Sequence, residues 1–117
     1  MGVPAVDQIK LDEVLTALGH PIRLAIVGVL ADDQQHRCGA IVAGVSKSTL
    51  THHWRALRDA GVIDQSPSGR ENLLSLRRAD LEARFPGLLD SVLAALVADT
   101  ETREMVGTYA SDPEVAG

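Results

Sequence analysis

Apolar residues recur along the first sixty positions at helical spacing. Leu11, Val14, Leu15 and Leu18 follow the i, i+3, i+4, i+7 rule of one helix face, with Asp7 expected as the cap and Gly19 as the end. Pro21 suits the first turn of a second helix over 21–31, where its missing N–H costs nothing. That stretch is apolar nearly all round (Ile22, Leu24, Ala25, Ile26, Val27, Val29, Leu30), which places it in the core. Residues 32–37 are polar and read as a loop. Residues 38–43 predict a short helix ended by Gly44. Ser46 then caps a longer helix over 47–60, and Gly61 ends it.

The period changes after Gly61. Residues 62–66 and 71–76 read as two short strands around the turn sequence Pro67-Ser68-Gly69-Arg70, a β-hairpin. Asp80 is expected to cap a brief turn through Arg84, and Pro86 forces a break before a last helix. There Leu88, Leu89, Val92, Leu93, Leu96 and Val97 form a wide apolar stripe. From Asp99 the chain is polar and acidic, so the domain is expected over 1–98, with 99–117 a disordered acidic tail. The fold class is mainly α with a small β-hairpin: helix, helix, short helix, helix, hairpin, helix, the order of a winged helix-turn-helix.

Composition narrows the function. At 117 residues, one domain is expected, and the chain is 45% hydrophobic but only 3% aromatic. So aliphatic a small chain is expected to cover part of its surface with a second copy. Leu11, Val14, Leu15 and Leu18, with Leu89, Val92, Leu93 and Leu96, are the candidate dimerisation residues. No apolar run approaches a membrane span and no targeting segment is apparent, so a cytoplasmic protein with no membrane partner is expected. The single Cys38 excludes an internal disulfide. No catalytic triad, carboxylate pair or phosphate loop stands out, so an enzyme is not expected.

The net charge of −5 is unevenly spread. Residues 46–78 hold six basic residues (Lys47, Arg55, Arg58, Arg70, Arg77, Arg78) and three acidic ones, whereas 79–117 hold two basic and eight acidic. Phosphate binding needs local positive charge rather than a high global pI. With Leu50 set at 0° and 100° per residue, Trp54 and Leu57 fall within about 40° of it, the core side. Ser48, His52, Arg55 and Asp59 fall about 140–200° away, the outward side, with Thr51 and Arg58 on one shoulder and Thr49 on the other. Hydroxyl, imidazole and guanidinium groups there suit base edges and phosphates.

The segment Gly44-Val-Ser-Lys-Ser-Thr-Leu-Thr-His-His-Trp-Arg-Ala-Leu-Arg-Asp-Ala-Gly-Val-Ile63 resembles the helix-turn-helix of the ArsR/SmtB family of bacterial repressors, and Leu18-Gly-His-Pro-Ile-Arg-Leu24 is similar to the family's second-helix entry. The resemblance spans roughly residues 10–97 and implies a homodimer built from the first and last helices. It implies repression from an inverted-repeat operator in double-stranded DNA, with Ser48, Thr49, His52, His53 and Arg55 at or near the groove and the 67–70 wing tip near the backbone. Together with Lys47, Thr51, Arg58 and Arg70 these are the candidate DNA-binding residues. By angle His53 lies nearer the core, at about 300°, which leaves a packing role open. A winged-helix protein-interaction module, or a regulator working with an accessory protein, is the alternative.

Many members of that family sense metal through a Cys-x-Cys pair in the third helix, or through His and acidic residues in the last. Neither pattern is complete here. His36 and Cys38 are left as the candidate metal ligands, for Zn(II) or Ni(II), against the alternative of a small packed cysteine beside an unrelated surface histidine.

Overall fold

The computed structural model describes residues 3–110. In chain order it comprises α1 (Leu11–Leu18), α2 (Pro21–Leu30), β1 (His36–Arg37), α3 (Lys47–Ala60), β2 (Ile63–Ser68), β3 (Glu71–Leu76), α4 (Arg78–Arg84), α5 (Leu88–Ala98) and α6 (Thr100–Ala110), with 3-10 turns at Val6–Gln8 and Cys38–Ala40. The core runs through α2, the inner face of α3 and the base of the hairpin: Ile26, Leu30, Ile41, Leu50, Leu57, Ile63 and Leu74 are fully buried. The near-continuous apolarity of α2 is thereby explained. Among the described residues no single helix is long and apolar enough to cross a membrane.

Asp7 does not cap α1. It lies inside the first 3-10 turn, and the chain then breaks so that Ile9 can plunge fully into the core before α1 starts at Leu11. The Arg84 guanidinium donates to the Ile9 carbonyl at 2.9 Å and holds that break in place.

The short helix expected over 38–43 is reduced to one 3-10 turn, followed by bends. Glycines at 39 and 44 weaken a helix there, and burial of Ile41 and Val42 fixes the path instead. The polar loop contains the two-residue strand β1, too short to carry an alternating pattern. It pairs antiparallel with Leu73 and Leu74 of β3, so the sheet has three strands in the order β1-β3-β2. In the hairpin Ser68 faces Glu71, leaving the two-residue turn Gly69-Arg70 with Gly69 at φ 63°. Pro67 is tolerated because β2 is an edge strand.

The C-terminal expectation is corrected. Residues 100–110 form α6 instead of a disordered tail, so the folded unit extends past residue 98; residues 111–117 lie outside the described residues. Asp99 breaks the α5 path with an extended backbone and accepts the fully buried Thr102 hydroxyl at 2.6 Å. Helix α6 then crosses α2 at Gly28, where an added Cβ would sit 2.7 Å from Val106. A polar sequence made helical by docking on a glycine gap carries little periodic signal.

Candidate nucleic-acid interface

Helix α3 has the bounds its local code dictates. The Ser46 hydroxyl accepts the Thr49 N–H at 3.2 Å as N-cap. At the other end Gly61 is left-handed (φ 90°), and the Gly61 and Val62 N–H groups return to the carbonyls of Arg58 and Leu57, a Schellman closure. Leu50, Trp54 and Leu57 anchor the inner face. Lys47, Ser48, Thr49, His52 and Arg55 are exposed. Ser48, Thr51, His52, Arg55, Ala56 and Asp59 line an open depression along the outward side.

The candidate cations divide into two groups. Lys47, Arg55 and Arg70 are exposed and in no ion pair among the described residues; Arg55 rests its guanidinium 5.7 Å from the Trp54 ring centroid. Arg58 is engaged on the protein itself. It donates twice to Asp59 (3.0 and 2.8 Å) and once to Gln65 (2.8 Å), and stacks over Trp54. These bonds make it a buttress between α3 and β2. Arg77 and Arg78 are likewise committed, Arg77 to Asp80 and the Pro4 carbonyl, Arg78 to Asp33, Asp90 and the Ala31 carbonyl. Thr51 turns its hydroxyl back to the Lys47 carbonyl at 2.9 Å, so it can offer only lone pairs outward.

His53 is corrected. It is 7% exposed and faces α2, as its helical angle suggested. Its Nδ1 accepts from Arg23 Nε at 3.0 Å, and its ring lies 4.2 Å from that of His20 and 5.0 Å from that of His52. His20 in turn caps α2, its Nδ1 accepting the Ile22 N–H at 3.1 Å. Burial, then the neighbouring His20, Arg23 and His52, push the His53 imidazole below its usual range, so it is held neutral. The folded state thus resists a proton that the unfolded chain accepts near pH 6.5. The stability His53 contributes is complete above that pH and is lost as pH falls toward its lower folded-state value. Urea midpoints from pH 8 to 5 are expected to drop below pH 6.5 in the native chain, and to drop less in His53→Gln, whose amide oxygen still accepts from Arg23.

Sequence reasoning missed this histidine contact and the Arg58–Gln65 bond. Both join residues on separate elements, and only the hairpin register and the α2–α3 packing bring them together. Beside α3, Asp12, Glu13, Thr16, Ala17, Arg23 and Asp59 help line a cleft of about 390 Å³. Its three carboxylates outnumber the one cation, Arg23, so that side is acidic.

The metal reading of His36 and Cys38 does not fit. Cys38 is packed in the core, while the His36 imidazole contacts both Asp32 carboxylate oxygens at 3.0 Å. Among the described residues no group of three or more His, Cys, Asp or Glu side chains is placed to hold an ion. The dimerisation set is divided as well. Val14, Leu18, Leu89 and Leu96 are buried in the chain's own core, Val92 and Leu93 are half-buried, and Leu11 and Leu15 stand out at 46% and 49% exposure.

A helix with one face in the core and one carrying hydroxyls and cations in no ion pair among the described residues, preceded by a turn and followed by a hairpin, is the arrangement of a winged helix-turn-helix fold. A helix-turn-helix domain model matches residues 18–66. An uncharacterised helix-turn-helix transcriptional regulator, YceK of Bacillus subtilis (strain 168), is 29% identical over 89 residues, covering 74% of this chain and 88% of the relative. The crystal structure of Mycobacterium tuberculosis Rv0081 superposes with a TM-score of 0.56 at 26% identity, covering 76% of this chain and 90% of that one. That of a "Possible transcriptional regulator for arsenical resistance" gives 0.56 at 28% identity, covering 77% and 97%. An ArsR-like regulator from Rhodococcus sp. RHA1 shares the fold at 21% identity and a TM-score of 0.55, covering 88% and 93%. The chain is thus similar to helix-turn-helix transcriptional regulators and shares the fold of ArsR-like winged helix-turn-helix proteins.

Proposed function

We propose that the protein is a repressor that binds an inverted-repeat operator as a homodimer. The observation that carries this reading is the outward side of α3: exposed Lys47, Ser48, Thr49, His52 and Arg55 on a helix whose opposite side is fully packed. Two such helices, related by a two-fold axis, enter successive major grooves on one side of the duplex. Arg55 reads a guanine edge, His52 and the hydroxyls of Ser48 and Thr49 contact neighbouring edges and phosphates, and Lys47 sits at the backbone. Arg70 at the wing tip approaches the backbone or minor groove. The second copy covers Leu11 and Leu15. The signal that releases the operator is not a metal held by His36 and Cys38, and one buried cysteine gives no thiol set for a soft metal or metalloid.

Fluorescence anisotropy on a duplex from upstream of the protein's own gene, across a salt series, tests the reading. With Lys47 and Arg70 of two protomers on phosphates, log affinity is expected to fall against log salt with a slope of about −4. Arg55→Ala is expected to cost roughly 1–3 kcal/mol and to relax discrimination at one base position of each half-site. Unchanged affinity removes Arg55 from the readout. Absence of salt-dependent binding in the native protein turns the reading toward a protein-interaction module.

A further inference from the structure

The wing of this fold is weakly supported toward its tip. Strand β1 pairs only with Leu73 and Leu74, so the sheet is three-stranded there alone. From Asn72 outward the hairpin is a two-stranded ribbon ending in the Gly69-Arg70 turn, and such a ribbon is marginally stable and twists easily. At the point where the third strand ends, a chain of side-chain hydrogen bonds begins. Gln65 Nε2 donates to Asn72 Oδ1 at 3.0 Å, across the diagonal of the β2–β3 pair, and Gln65 Oε1 accepts from Arg58 Nη1 at 2.8 Å. Arg58 lies in the last turn of α3, over the Trp54 ring and anchored by Asp59. Gln65 and Asn72 are both half-buried, so these bonds are partly shielded from water.

We infer that Arg58, Gln65 and Asn72 form a positioning relay that locks the wing to the recognition helix, so that Arg70 meets the backbone while α3 occupies the groove. The relay ends at Asn72 on β3, two residues from Arg70 in the turn. The guanidinium spends three of its five N–H donors, one each on Nε, Nη1 and Nη2, within the protein, which ties Arg58 to the wing. With the relay intact, the wing needs no further ordering when DNA arrives; without it, the ribbon must be fixed at the moment of binding and the entropy of ordering it opposes the Arg70 contact.

This inference rests on the DNA-binding reading, and Gln65→Leu separates the two. Gln65 is uncharged, so losing it removes no phosphate ion pair directly, and leucine suits a strand. Gln65→Leu is expected to weaken binding roughly threefold to tenfold and to reduce the salt slope by about one per protomer, because Arg70 no longer engages. Adding Arg70→Ala on that background is expected to cost nothing further, although Arg70→Ala alone weakens the native protein. Arg58→Met is expected to reproduce the Gln65→Leu slope. Asn72→Val, which breaks the relay from the other strand, replaces Gln65→Leu if the latter lowers Tm. A native protein without salt-dependent binding ends both readings. If the native protein binds with the expected slope, three results overturn the relay alone: an unchanged slope in the relay variants, Arg70→Ala effects that simply add, or a larger slope loss in Arg58→Met than in Gln65→Leu.

Discussion

Leu15→Glu is expected to give a folded monomer that binds the full operator on the order of 100-fold more weakly. Leu11 and Leu15 stand one helical turn apart on α1 and are about half exposed, whereas Val14 and Leu18 on the same helix are buried. Two adjacent exposed leucines on one face are surface that a second copy gains by covering. A glutamate there would put a charge into the proposed interface beside Asp12 and Glu13, at a cost in desolvation and repulsion. The fold itself loses no buried contact, so Tm is expected to stay near the native value. The operator loss is large because a monomer engages one half-site, and the second half-site no longer benefits from the effective concentration that a dimer supplies. Sedimentation at micromolar protein concentration reads the oligomeric state directly. A Leu15→Glu protein that remains dimeric moves the interface to the α5 side, where Val97 is 58% exposed.

Gly61→Ala is expected to lower the unfolding free energy by about 2–4 kcal/mol. Two effects combine. The residue must hold φ 90°, which costs an L-residue on the order of 1 kcal/mol, and its Cβ would lie 2.7 Å from Ile9 Cγ1 and 3.0 Å from Cδ1. Ile9 is fully buried and its carbonyl is held by Arg84, so it has nowhere easy to go. The N-terminal segment and the end of α3 are thus packed through one missing methyl group. Gly69→Ala provides the contrast: its φ is 63° with nothing within 4 Å of the added Cβ, so only the strain term remains. Urea denaturation of the two variants separates strain from collision, and equal losses would remove Ile9 from the explanation.

Elements whose signals are local were legible from the residues alone. The bounds of α3 follow from Ser46 and Gly61, the burial of α2 from its continuous apolarity, and the hairpin from its Pro-Ser-Gly-Arg turn sequence. In the site, the outward set Ser48, His52, Arg55 and Asp59 came from helical angle and is exposed as that angle requires. The wheel was also correct to turn His53 inward, and the resemblance-based contact at that residue is what packing overrode.

Arg58 shows the limit of such reasoning. Its angle places it on a shoulder, where a long side chain reaches either solvent or a neighbour; the hairpin register, which brings Gln65 within 2.8 Å, decided it. Helix α6 shows the same limit for a whole element, since its polar residues fold only against the gap that Gly28 leaves in α2. Cys38 and His36 stand two apart in sequence, but the turn that begins at Cys38 sends the thiol into the core and leaves the imidazole on Asp32. Periodicity and capping are properties of neighbouring residues, and the chain alone therefore specified its helices, its wing and the exposed reading face. Which cations remain free for DNA, which histidine is buried and which leucines stay uncovered depend on contacts between residues distant in sequence, and those exist only once the elements have packed.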